Sequence, residues 1–159
     1  SEAVFMLLMP LLFIRLGIKW VMVIGMFSWA LRYVLFAFGV NSLGPVMPAL
    51  LVGILLHGVC YDFFFVAGQI YVDRTFSSET RARAQSFLAL VTLGIGTAIG
   101  SLFANAVYVA NTVSETVHDW KSIWLVPAAM AAATAVVFAL TFREKKKIEI
   151  DTVVATSVG

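Results

Sequence analysis

The sequence predicts an all-α membrane protein of about five transmembrane helices, the first of them truncated. Three observations carry that expectation. Of 159 residues, 61% are hydrophobic and only 13% charged, whereas soluble domains sit near half apolar and about a quarter charged; mean hydropathy is +0.95. The apolar residues gather into runs close to the ~20 that a spanning helix needs. Those runs are continuous and lack the strict alternation of a barrel wall, which argues for helices over strands.

In chain order, Ala3 to Ile14 is too short to span and reads as the inner end of a truncated helix. Trp20 to Val40 spans, interrupted by Arg32. Gly44 to Tyr71 is long enough to span with tilt and carries His57 and Asp62. Ala84 to Val109 spans with Gln85 and Asn105 near its ends, and Ile123 to Phe142 spans cleanly. The chain opens at Ser1 without Met and without a basic stretch ahead of its first apolar run. It is therefore read as a fragment of a longer protein, not as one led by a signal peptide.

The connections fix an orientation. Residues 15–19 hold Arg15 and Lys19, residues 73–83 hold Arg74, Arg81 and Arg83, and the tail begins Arg143-Glu144-Lys145-Lys146-Lys147. Asn41-Ser42-Leu43 carries no charge, and 110–121 holds one lysine, Lys121. Basic residues thus fall on alternate connections, and the positive-inside rule assigns 15–19, 73–83 and the tail to the cytoplasm. Residues 1–147 form the expected transmembrane domain, and 148–159 an expected disordered cytoplasmic tail with nothing to pack on.

Several function classes are excluded by composition. No basic run is interleaved with aromatics as nucleic-acid binding requires. The single cysteine, Cys60, precludes an intrachain disulfide or a thiolate cluster. The second histidine, His118, falls in an outer connection away from His57, which argues against a metal site. There is no Gly-rich phosphate loop, no HExxH and no Ser/His/Asp set outside the spans, so neither an enzyme nor a cofactor is expected.

Ionisable groups inside a span cost several kcal/mol and face an interior cavity or a partner. At about 1.5 Å per residue, Arg32 lies about 18 Å from the cytoplasmic end of its helix and Asp62 about 15 Å from the same side. They share a depth at which they can pair, either as a purely structural bridge between helices or as part of a transport site. His57, Tyr61, Phe64 and Gly68 stand at i, i+4, i+7 and i+11, one helix face; Gly58, Asp62, Phe65 and Gln69 form the adjoining one. Imidazole, phenol, carboxylate and carboxamide on neighbouring stripes line something wet, while the aromatics offer flat surfaces for a stacked ring. The bland alternative is that Phe63, Phe64 and Phe65 pack or face lipid, and at least one must, since consecutive residues cannot share a face. Gly94, Gly96 and Gly100 make a small-residue stripe containing a GxxxG match, which serves helix packing, static or sliding.

The stretch LLFIRLGIKWVMVIGM resembles the cytoplasmic loop between spans eight and nine of the major facilitator superfamily, where a basic-x-Gly-x-basic turn recurs. LHGVCYDFFFVAGQIYVD followed by RARAQSFLALVTLGIGTAIGS resembles spans ten and eleven of the nucleoside:proton symporter family within it. The resemblance covers most of Pro10 to Phe142. It implies the C-terminal half of a twelve-helix bundle, spans eight to twelve, with the substrate held between this half and an N-terminal half upstream. It also implies a multi-pass protein of the bacterial inner membrane with a cytoplasmic C-terminus. In the family an aromatic pair on span ten, four residues apart, touches the nucleoside, which corresponds here to His57 and Tyr61. The enterobacterial permeases resemble Tyr and Phe at those places, so His57 is a departure. Asp62 matches the family's carboxylate directly after the second aromatic.

The expected function is proton-coupled nucleoside uptake by alternating access. Substrate would meet His57, Tyr61, Phe64, Phe65 and Gln69, with Asp62 and Arg32 serving proton coupling or an intramembrane ion pair. The expected partners are a nucleoside, a proton, the lipid bilayer and the N-terminal half, with no nucleic acid. Two alternatives remain: a carrier of another small polar solute, such as a sugar or organic anion, and a non-transporting membrane sensor.

Overall fold

The computed structural model of the chain describes residues 2–41, 44–45, 47–114 and 117–143. Among the described residues, four helical stretches are long and apolar enough to cross a membrane: Phe5–Phe38, Met47–Thr75, Ser78–Ala110 and Trp120–Thr141. The expected disordered segment 148–159 lies outside the described residues.

Helix α1, Glu2–Phe38, reconciles four stretches with five expected spans. It breaks at Gly17, whose φ of 79° and ψ of 162° leave helical space in a region that only glycine enters freely. The ring of Phe5 packs edge-on to Phe63 at 6.0 Å, and a Cβ on Gly25 would lie 3.0 Å from the carbonyl carbon of the same Phe63. A straight helix would hold positions 5 and 25 about 30 Å apart. The two arms, 2–16 and 18–38, therefore fold back on each other, with Arg15 and Lys19 flanking the reversal.

The second spanning stretch is built of α2 (Met47–Tyr61), a π-helical turn (Asp62–Val66) and α3 (Ala67–Thr75). Pro48 sits in the first turn of α2, where a missing N–H costs nothing. The third comprises α4 (Ser78–Ala89), a π-helical turn (Leu90–Gly96) and α5 (Thr97–Ala110); the fourth is α6 (Trp120–Thr141). The expected connection 73–83 shrinks to Phe76 and Ser77. Helix continues to Thr75, and the extended Ser77 accepts the backbone N–H groups of Thr80 and Arg81 to start α4. Two short antiparallel ribbons replace expected coil: β1 (Val40–Asn41) with β2 (Gly44–Pro45), and β3 (Thr112–Ser114) with β4 (Val117–His118).

The core lies where the arms of α1 meet the second stretch. Met9, Phe13, Ile18, Val21, Met22, Phe63 and Ala67 form one buried cluster. Gly25 permits the close approach there: any side chain would press on the Phe63 backbone. Helix α6 packs along α1, with Trp124 stacked on Tyr33 at 5.9 Å and edge-on to Phe36 at 5.1 Å. By contrast, α4, its π turn and α5 bury no residue.

Candidate functional site

Asp62 is the one charged residue in the buried interior of the described chain, 1% exposed, and it opens the first π turn. It is engaged within the protein, as a carboxylate at that depth must be. One turn earlier, His57 meets Arg32 of α1, Nη1 to Nδ1, at 2.7 Å. The Arg32 guanidinium also lies 5.2 Å from the Phe36 ring centroid. Structure thus brings Arg32 to the site, and its contact with the imidazole was not foreseen from depth alone.

The aromatic groups form a connected row. His57 and Tyr61 rings stand 6.2 Å apart, Tyr61 and Phe65 5.2 Å, and Phe65 and Phe64 5.2 Å. Trp29 of α1 closes the row, 5.7 Å from both Phe64 and Phe65. The two adjoining stripes open onto one cleft across this segment: Tyr61, Phe64 and Gly68 of one and Phe65 and Gln69 of the other line it, while Asp62 turns inward with Phe63 and Ala67. The reason is pitch: a π turn takes more residues per revolution than the 3.6 of an α-helix, so a count in α periods drifts across 62–66.

Two cavities adjoin the row, and Phe64 borders both. The smaller, about 60 Å³, is walled by Tyr61, Phe64, Phe65 and Gln69 on one side and by Gln85, Thr92 and Leu93 on the other. Both π turns therefore reach the same cleft. Gln85 Nε2 donates to the Gln69 carbonyl at 2.8 Å and to Asp73 Oδ1 at 3.1 Å, tying α4 to α3 at its end. The larger cavity, about 800 Å³, lies between α1, α5 and α6 and is mostly apolar, lined by Trp29, Tyr33, Gly100, Ser101, Tyr108 and Trp124 among others. His57 lines neither.

The glycine stripe meets no neighbouring helix among the described residues. A Cβ on Gly94 or Gly96 would meet only Leu90 or Val91 of its own turn, and one on Gly100 would meet nothing within 4 Å. Sequence reasoning missed Trp29, Tyr33 and Phe36, although their spacing of four and then three puts them on one face of α1, around the turn that carries Arg32. It also missed the outer clasp of the large cavity. The Thr112 hydroxyl donates to the Tyr108 carbonyl at 2.9 Å, which leaves its oxygen to accept from His118 Nδ1–H at 3.2 Å. Nε2 of His118 then accepts from the Tyr108 hydroxyl at 3.0 Å. Beside it, Asp119 caps α6: the Ser122 hydroxyl and backbone N–H bond its carboxyl and hold it below the usual 3.8.

A family model described as nucleoside H+ symporter matches residues 1–147. The nucleoside permease NupG of Escherichia coli (strain K12) is 33% identical over 146 residues, 91% of this chain and 34% of the permease. The xanthosine permease of the same organism is 34% identical over 144 residues, 90% of this chain and 34% of that protein. The crystal structure of nucleoside transporter NupG superposes with a TM-score of 0.76 at 31% identity, covering 89% of this chain and 35% of that one. An aspartate-to-alanine mutant of the same transporter gives 0.79. The chain spans about a third of the length of these relatives.

Proposed function

Because the chain belongs to the nucleoside H+ symporter family and is an integral, multi-pass membrane protein, we propose that it forms the last spans of a carrier that moves nucleosides inward with protons by alternating access. The observation that carries this reading is a buried carboxylate, Asp62, set one residue after Tyr61 in an otherwise aromatic row. Ring faces stack on a nucleobase without regard to its sequence of polar atoms, and each such contact is worth about 1–3 kcal/mol. Tyr61, Phe64 and Phe65 supply those faces, and His57 and Gln69 supply hydrogen-bonding groups at the two ends of the row. A mid-membrane carboxylate is the group able to take up and release a proton during the cycle. Arg32, which meets His57, is the second ionisable group of the site.

The orientation follows from the basic connections: 15–19, 73–83 and the C-terminal end face the cytoplasm of a bacterial inner membrane. The direct test is uptake of labelled uridine and adenosine by the full-length protein in cells, with and without a proton uncoupler. Concentrative uptake abolished by the uncoupler supports the reading. Uptake of a sugar or organic anion in place of nucleosides overturns the substrate, and uptake indifferent to the uncoupler overturns the coupling.

A further inference from the structure

Arg32 and His57 lie 25 positions apart in the chain and meet at 2.7 Å through Nη1 and Nδ1. A guanidinium has five N–H donors and no acceptor, and it keeps its charge at every accessible pH. Arg32 must therefore donate, and Nδ1 of His57 must accept with its lone pair. A neutral imidazole has one accepting nitrogen and one N–H. With Nδ1 committed to Arg32, the ring proton is confined to Nε2, on the far side of the ring. The guanidinium is itself held, against the face of Phe36 at 5.2 Å, by two helices packed closely along their length. His57 in turn is exposed and leans on Tyr61, the first ring of the row.

We infer that Arg32 is a positioning residue that locks His57 as its Nε2–H tautomer, so that the aromatic row begins with one fixed hydrogen-bond donor for an acceptor atom of the nucleoside. The inference rests on the nucleoside reading above and deepens it. A free imidazole presents donor or acceptor according to tautomer and accommodates either kind of substrate atom. A locked one rejects a substrate that offers a donor there, because two N–H groups would then face each other with no acceptor between them. Discrimination of this kind needs no extra contact, only the denial of the second tautomer.

The test uses the full-length protein in lipid nanodiscs with 15N-labelled histidine. The His57 resonances are identified by their loss in His57→Phe. Protonated Nε2 with unprotonated Nδ1 is expected in the wild type, retained in Arg32→Lys, which still donates, and mixed tautomers in Arg32→Met, which does not. Nucleoside binding is then measured over a series of uridine and adenosine analogues, each lacking one acceptor atom. One analogue should bind the wild type about tenfold more weakly than its parent, as loss of a single hydrogen bond does, and His57→Phe should bind the two alike. Should Arg32→Met fail to insert, the wild-type and Arg32→Lys spectra decide. A proton on Nδ1 of the wild type overturns the lock. Parallel analogue losses in wild type and His57→Phe overturn the role of the donor while leaving nucleoside transport intact. Failure of every nucleoside to bind a folded wild-type protein overturns the transport reading itself, and the acceptor with it.

Discussion

The stretches Phe5–Phe38 and Ser78–Ala110 are of nearly equal length and equally apolar, yet the first buries 28% of its most apolar window and the second none. Apolarity secures a place in lipid, where a leucine is no better off against another helix than against an acyl chain. Neighbours are chosen by shape. In α1, Gly25 lets the Phe63 backbone approach until a Cβ would sit 3.0 Å away, and bulky side chains fill around the contact. Along α5, Gly100 faces open space across the large cavity. The same residue type is a contact in one helix and a gap in the other.

The largest expected effect tests whether the packed region also carries the mechanism. Asp62→Asn in the full-length protein should abolish uphill nucleoside uptake while leaving binding and exchange, since the amide keeps the shape but cannot cycle a proton. If Asp62 served only to balance Arg32, the single change would strand a guanidinium within the span, and Asp62→Asn with Arg32→Gln would recover uphill uptake. We expect the double variant to remain folded and uncoupled; recovery of uphill uptake would remove Asp62 from coupling and reduce the packed region to a scaffold.

The contrast itself breaks or survives on a pair of glycines. Gly25→Val should cost about 1–3 kcal/mol, the usual toll of overpacking, read as a lower melting temperature in detergent. Gly100→Val should change stability by no more than about 0.5 kcal/mol. Equal damage from the two would mean that α5 is as tightly packed as α1 in the whole protein.

Between the regions stands the small cleft, where Tyr61 from one side faces Thr92 and Leu93 from the other. Tyr61→Ala should raise the apparent KM for nucleoside by the equivalent of about 1–3 kcal/mol if a base stacks there. Leu93→Ala should matter less, and a reversed order would shift the binding surface onto the open helix.

Much of this was legible in the sequence. Continuous apolar runs announced the spans, and Arg15-Leu16-Gly17-Ile18-Lys19 announced a reversal that the positive φ of Gly17 bears out. Arg32 and Asp62 stood out because charge inside a span is rare. The π turn was not legible: no proline, glycine or polar residue within 62–66 after Asp62 marks it, and the wider turn expresses tertiary packing against α1. For that reason Asp62 leaves the stripe it shares with Phe65 and Gln69 and turns inward. Nor does any local signal tell that Gly100 of α5 looks onto a cavity, because an open face and a packed one are spelled alike.

The smallest expected effect lies at the outer end of α6, beyond both regions. Asp119 is held below its ordinary 3.8 by its bonds to Ser122. A depressed carboxyl stabilises the folded chain fully above about 4 and loses that contribution as pH falls through its folded value. Acid below pH 4 should therefore fray the start of α6, read as faster amide exchange at Ser122 and Ile123, and Asp119→Asn should remove the pH dependence while retaining a weaker cap.

The π turn at Asp62–Val66 has a consequence best put as phase. Above and below it the helix keeps a 100° step per residue, but the wave that describes which positions matter is displaced as it crosses the turn. A cysteine-accessibility scan from Met47 to Thr75 should show two trains of the same period with a slip between them. Deleting one residue from 62–66 would bring the trains back into step, and because the wider turn holds about one residue more than an α turn, Gln69 would keep its place on the cleft it now lines.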